Sequence, residues 1–139
     1  MSAVRPGAVV VAWTPDAFGE IALAHGVHEA TLRGRDLMVV NATKGDSLVD
    51  PAYAGSEAMS SLTDTLAASG LAHEVRQQVG LDVAEVVLEL AREVDARLVV
   101  VGLRRRTPVG KLIMGSVAQR VILDSSCPVL AVRPGETPS

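Results

Sequence analysis

The chain has 139 residues, of which 48% are hydrophobic, and 13 basic against 16 acidic residues give a net charge of −3. We expect one folded domain, residues 1–139, with flexible ends at about 1–6 and 135–139. Three aromatic residues are too few for the stacking surfaces that bind single-stranded nucleic acid, and the net charge disfavours a duplex partner. One cysteine excludes an internal disulfide and a multi-cysteine zinc site. No apolar run is long enough to span a bilayer, so we expect a cytoplasmic protein.

The first part of the chain alternates between buried strands and an amphipathic helix. Residues 8–13 (AVVVAW) form a short apolar run that is typical of a strand buried on both faces. Thr14 and Pro15 then predict a helix start, with Thr14 as the N-cap and Pro15 in the first helical position. Gly34 suits the end of this helix. A second buried strand is expected over residues 37–42.

The middle of the chain predicts two more helices around an exposed strand. An apolar stripe from Met59 to Leu66 indicates a helix, which Gly70 would close. Residues 71–79 alternate only in part, as expected for a strand near a sheet edge. Asp82 then begins a pattern that resembles a capping box, ahead of the most regular helical spacing in the chain.

The last part supplies two further strands, at residues 97–101 and 128–132, on either side of a helix that begins near Ser116. This order predicts an α/β fold with a single doubly wound parallel sheet, Rossmann-like, and helices on both faces. In such sheets ligands bind beyond the carboxyl ends of the strands. The loops after the first, second and fourth strands are therefore the candidate site.

The loop after the fourth strand has features of an anion site. Gly102 ends a strand where the backbone must approach a ligand closely or adopt a positive φ. Gly115 and Ser116 would begin a helix whose free N–H groups attract phosphate, and the Ser116 hydroxyl would either cap that helix or donate to a phosphate oxygen. The loop is either a solvated basic segment or an anion-binding one, since guanidinium groups pair with phosphate oxygens. Its basic residues are Arg104, Arg105, Arg106 and Lys111.

Two familiar phosphate-binding motifs do not account for this loop. A P-loop matches only at Gly110 and Lys111, because Arg105 stands at its first glycine and Leu112 at its Ser/Thr. The dinucleotide fingerprint GxGxxG is absent. A flavin site is a third possibility, but Trp13 is the one aromatic residue near the expected crevice.

The element order, the closing CPVLAV segment and the spacing of Gly102, Arg105 and Gly115-Ser116 resemble the universal stress protein family. The resemblance implies the strand order 3-2-1-4-5. Nucleotide-binding members of the family carry a sequence motif in which a first Gly is followed after two residues by a second Gly, and after nine more residues by Gly and then Ser or Thr. It implies an adenine nucleotide, such as ATP with Mg²⁺. Here Arg105 replaces the middle glycine, and Thr14 replaces an aspartate near the adenine.

The same resemblance gives a set of expected nucleotide contacts. Adenine would meet backbone groups near Ala42, after the second strand, where side-chain identity matters little. The expected nucleotide-binding residues are Trp13, Thr14, Ala42, Val101, Gly102, Arg104, Arg105, Gly115, Ser116 and Val117.

Two functions follow from the resemblance. One is a regulatory module of the stress response that binds an adenine nucleotide, with at most very slow ATP hydrolysis because no general base is evident. The other is a homodimeric scaffold of the same fold that binds no nucleotide. His25 with His28 predicts an exposed helix face rather than a metal site, and Cys127 a small core residue. The resemblance places the dimer contact on the last strand, at Val129, Leu130, Ala131 and Val132.

Overall fold

The computed structural model of the chain describes residues 3–43, 55–79, 82–103 and 114–138. Within these ranges five parallel strands form one sheet in the order β3-β2-β1-β4-β5. The predicted doubly wound α/β fold and its strand order 3-2-1-4-5 are confirmed. The strands are β1 (Val9–Ala12), β2 (Leu37–Thr43), β3 (His73–Val79), β4 (Leu98–Gly102) and β5 (Val129–Val132).

Helices cover both faces of the sheet in the described part of the chain. Successive strand residues point to opposite faces, so Val10 and Val11 belong to two different apolar clusters. The cluster of Val10 includes residues of the third and fourth helices, and that of Val11 includes residues of the first and second. The helices are α1 (Ala17–Arg33), α2 (Ser56–Ser69), α3 (Val83–Glu93) and α4 (Ser116–Asp124).

The three central strands are buried almost throughout because helices cover both of their faces. This explains why β1, β2 and β4 are continuous apolar runs in the sequence. β3 lies at one edge of the sheet and is partly exposed along its length, as its incomplete alternation predicted. β5 forms the other edge.

The predicted start of α1 is wrong. Asp16, not Thr14, is the N-cap: its backbone is extended, and its carboxylate accepts hydrogen bonds from the N–H groups of Phe18 (3.1 Å) and Gly19 (3.0 Å). The Thr14 hydroxyl donates to the same Asp16 carboxylate at 2.7 Å. Pro15 therefore lies before the helix instead of in its first turn. A carboxylate is the stronger partner for the positive helix end, which favours Asp16.

The other predicted helix ends agree with the structure. Gly34 and Gly70 end α1 and α2 in the left-handed conformation, with φ of 65° and 74°. Asp82 caps α3 by accepting from the Glu85 N–H at 3.2 Å. The Glu85 carboxylate pairs with Arg92 and Arg120.

Two sequence-based expectations concern the chain as a whole. The described helices include none with the length and apolar character of a membrane span. The expectation of a single domain with flexible ends stays a prediction. Near the carboxyl terminus, Glu136 accepts hydrogen bonds from the Arg133 backbone (2.9 Å) and Nε (3.0 Å).

Candidate functional site

A cavity of about 400 Å³ opens at the carboxyl ends of β1, β2 and β4. The chain builds the sheet outward from β1 to β2 and β3, and then adds β4 and β5 on the other side of β1. Connections that leave neighbouring strands in opposite directions create a crevice beyond the strand ends. We call this space the crevice cavity. Its position agrees with the location expected from the sequence.

The structure brings together eight of the ten residues that we predicted for nucleotide binding. Arg104 and Arg105 lie outside the described residues, as do Arg106 and Lys111. The role of the eight in binding stays a prediction, because their position shows a shared cavity and no ligand. They are Trp13, Thr14, Ala42, Val101, Gly102, Gly115, Ser116 and Val117.

Sequence reasoning missed a large part of the cavity wall. The start of α1 contributes Asp16 and Phe18, and α3 contributes Val83 and Val87. The signal for the α3 residues was present, since positions i and i+4 of a helix share one face. This spacing could identify Val83 and Val87 as cavity residues only once α3 was known to cover the face of the sheet on which the cavity opens. The other residues missed are Ala12, Gly19, Val40, Thr43 and Ala118.

Gly102 is required by close packing. It is absent from the glycines of positive φ, so the strand conformation itself does not demand glycine. A Cβ at this position would lie 2.5 Å from the carbonyl oxygen of Phe18 and 3.0 Å from its carbonyl carbon. Of the two reasons considered from the sequence, a positive φ is wrong and close approach to a ligand stays a prediction; the close contact that the structure shows is with the backbone of α1.

The amino end of α4 faces the crevice cavity through Gly115, Ser116 and Val117. Gly115 is the N-cap and offers no side chain to the helix; its carbonyl accepts the first helical bond from Gln119 at 3.0 Å. The first N–H groups of a helix have no partner within it, and they carry the positive end of the helix dipole. Ser116 is the first helical residue and does not cap α4. This end of the cavity is suited to a negative group.

A buried polar chain braces the junction of β1 and β2. The Asn41 amide donates to the Trp13 carbonyl at 3.0 Å and accepts from Gln77 at 3.0 Å. Trp13 and Thr43, both in the cavity wall, are buried, and the indole Nε1 and the hydroxyl Oγ1 have no hydrogen-bond partner among the described residues. Buried polar atoms are normally satisfied. These two leave hydrogen-bonding capacity beside the crevice.

Arg120 ties α3 to α4 across the wall of the cavity. Its guanidinium contacts Asp82 at 2.7 Å, Glu85 at 2.8 Å and Asp124 at 2.8 Å. The pKa of Asp82 is lowered by the hydrogen bond from the Glu85 backbone and then by Arg120. Hydrogen bonding to Asp124 and Asp82 raises the pKa of Arg120. The network holds the helices that contribute Val83 and Val117 in a fixed relation.

The described residues give no support for a metal centre. They contain no cluster of three or more His, Cys, Asp or Glu side chains that would hold an ion. His25 contacts the carbonyl of Glu136 through Nε2. Cys127 is partly buried and packs against the cluster that α3 and α4 cover, as predicted for a small core residue.

Comparison with known proteins relates this chain to one family. The sequence pattern of the Universal stress protein family matches residues 7–133. A universal stress protein of Mycolicibacterium smegmatis is 46% identical over 126 residues, which cover 91% of this chain and 97% of the relative.

Two of the similar solved structures were determined with nucleotides. The universal stress protein from Archaeoglobus fulgidus in complex with dAMP is 27% identical, with a TM-score of 0.62, and the match covers 94% of this chain and 98% of that one. A universal stress protein in complex with cAMP is 29% identical, with a TM-score of 0.69, over 96% of this chain and all of the other.

Proposed function

Because the chain belongs to the universal stress protein family, we propose that it binds an adenine nucleotide in the crevice cavity and acts as a regulatory module of the stress response. The observation that carries the proposal is the shape of that cavity. One space joins the carboxyl ends of β1, β2 and β4 to the uncapped amino end of α4. An apolar region and an anion-attracting region are thus adjacent.

The apolar region suits a base. Val40 and Ala42 of β2 face Val83 and Val87 of α3 across the cavity, and Val101 of β4 adds to the wall. Small-molecule sites are typically lined by apolar side chains with a few polar groups that fix orientation.

The anion-attracting region suits the phosphate. The backbone N–H groups at the start of α4 would donate to phosphate oxygens, with Ser116 beside them. The complexes of relatives with dAMP and cAMP support this assignment, since both ligands combine adenine with phosphate. If ATP is the ligand, its phosphates and water would supply most of the Mg²⁺ coordination.

Calorimetric titration with ATP, ADP, AMP and cyclic AMP tests the proposal. Ser116→Glu would place a carboxylate at the start of α4, where it favours the helix but repels phosphate. We expect it to weaken AMP binding by about tenfold or more without weakening adenosine binding or lowering the thermal stability. Ser116→Gln is the control of matched size. The proposal fails if the native chain gives neither heat nor thermal shift with any nucleotide at millimolar concentration.

We also propose that the chain forms a homodimer that pairs through β5. This strand forms an edge of the sheet, and Val129, Leu130 and Ala131 remain partly exposed, whereas Val132, which we also expected at the contact, is buried. An open apolar edge strand is a ready site of pairing with another chain. Light scattering after gel filtration should give twice the chain mass, and Ala131→Pro should give a folded monomer. A native monomer would exclude the dimer, and a dimer without nucleotide binding would favour the scaffold function.

A further inference from the structure

A second cavity, of about 560 Å³, lies at the opposite end of the sheet from the crevice cavity. Its lining comes from the end of α1 and the loop after it, and from the residues that precede β4 and β5. We call it the basal pocket. Three arginines line it, Arg33, Arg35 and Arg97, together with Ser126 and Cys127.

The charge of the basal pocket is unusual within this molecule. Eight arginines lie in the described ranges, and six of them have a carboxylate partner. Arg35 and Arg97 have none among the described residues, and both line the basal pocket. The chain as a whole has more acidic than basic residues. The six paired arginines are Arg5, Arg33, Arg76, Arg92, Arg120 and Arg133.

The backbone at Gly7 brings the two unpaired side chains together. Gly7 has a φ of +94°, and its N–H donates to the carbonyl of Val94 at 2.8 Å. A Cβ here would lie 2.6 Å from Arg35 Nη1 and 3.5 Å from Arg97 Cγ. Because glycine has no side chain, Arg35 can occupy the space next to Gly7, close to the Arg97 side chain. Two positive side chains packed near each other without a carboxylate partner among the described residues attract an anion.

A structural role at the helix ends does not account for these two side chains. Arg35 follows the end of α1 and Arg97 follows the end of α3, where positive charge is favourable. However, the Arg35 backbone N–H, not its guanidinium, donates to the helix carbonyl of Ala30, at 2.9 Å. Within the described ranges neither guanidinium donates to a helix carbonyl. Their donors remain available to a ligand.

We propose that the basal pocket binds a small oxyanion, a phosphate or carboxylate compound, through Arg35 and Arg97. Planar guanidinium groups donate pairs of hydrogen bonds that match the oxygens of such anions. Arg33, held by Glu29 at 3.1 Å, adds charge at the rim. The pocket volume lies in the usual range for small-molecule sites, so it admits an anion larger than inorganic phosphate. This site is separate from the crevice cavity and does not depend on nucleotide binding there.

Titration with inorganic pyrophosphate, followed by amide and arginine side-chain NMR signals at constant ionic strength, tests the proposal. We expect saturable shifts at Arg35, Arg97 and Ser126 in the native chain. Arg35→Gln or Arg97→Gln should weaken binding about tenfold, the order of a lost charge-assisted hydrogen bond. The shifts should persist in Ser116→Glu, which alters the crevice cavity alone.

Arg92→Gln is the matched control, since it removes one positive charge from α3 outside the basal pocket. It should leave pyrophosphate affinity unchanged. An equal loss of affinity in Arg92→Gln would show attraction by net charge and overturn the proposal. The absence of saturable shifts at the basal pocket in the native chain would also overturn it, while the crevice proposal would be unaffected.

Discussion

Gly102→Ala should destabilise the protein and disturb the crevice cavity together. The added Cβ would lie 2.5 Å from the Phe18 carbonyl oxygen and 3.0 Å from the Phe18 Cβ. The first of these distances is about 1 Å short of ordinary van der Waals contact, and the obstacle is backbone that cannot rotate away. The start of α1 must move outward or β4 must bend. Overpacking of this kind costs about 2 kcal/mol.

Urea unfolding followed by circular dichroism measures this effect. We expect a lower midpoint with an unchanged slope, and a fall in Tm of about 8 °C for a loss of this size. AMP binding should weaken as well, because the displaced turn carries Asp16 and Phe18 of the cavity wall.

Gly55→Ala is the control for Gly102→Ala. Gly55 has a negative φ, and a Cβ there would meet no heavy atom of the described residues within 4 Å. We expect Gly55→Ala to change the free energy of unfolding by less than about 1 kcal/mol. If Gly102→Ala were no more destabilising than this control, the close packing of β4 against α1 would not be the reason for glycine at 102.

Three other substitutions test separate parts of the structure. Asp16→Ala removes the cap of α1 and should cost about 1 kcal/mol in urea unfolding, with a smaller loss in Asp16→Asn; equal losses would contradict the capping role. Arg120→Gln should destabilise the protein less in about 1 M NaCl than in about 0.1 M, because salt screens exposed ion pairs; an effect independent of salt would exclude an electrostatic origin. The hydrogen bond from Arg5 lowers the pKa of Asp36 below its unfolded value of about 3.9. The stabilisation that this ion pair gives the folded state is therefore complete above about pH 4, and it is lost as the pH falls through the lowered pKa. Asp36→Asn should therefore be less stable than the native chain at pH 7, and the difference in unfolding free energy should shrink below pH 4; a constant difference would contradict the linkage.

The sheet could be predicted from the sequence because its signals are local. Short runs of mostly apolar residues define β1, β2 and β4, and strands of this kind are typical of a parallel sheet with helices on both faces. The predicted strands begin and end within two residues of the observed ones. Strand order came from the family resemblance, since local pattern does not specify which strands are neighbours.

The start of α1 could not be predicted, for a physical reason. Thr14, Pro15 and Asp16 each suit a helix start, so local preference leaves several positions open. Packing decides which of these positions begins the helix. The first turn of α1 lies directly against the preceding loop, since a Cβ at Gly19 would be only 1.8 Å from the Thr14 carbonyl oxygen. Thr14 and Gly19 are near each other in the sequence, but how closely they approach depends on the position of α1 against β4. Local sequence preference does not specify that position.

Ion pairs between residues far apart in the sequence could not be predicted either. Asp82 and Glu85 fit a capping box, and Asp82 does cap α3. The Glu85 carboxylate instead binds Arg120, 35 residues further along the chain. The sequence contained both halves of this pair, but only the packing of α3 beside α4 brings them together.

The two helix starts at the crevice cavity differ in charge, and this difference gives the cavity a direction. Asp16 is the one ionisable residue among the described residues of its wall, and its carboxylate is bonded to the N–H groups that begin α1. The positive end of α1 is therefore neutralised. The start of α4, capped by Gly115, has no side-chain acceptor. An anionic ligand would consequently be attracted to α4 and not to α1, which supports the proposal that phosphate binds beside Ser116 and the base against the apolar wall of β2 and α3.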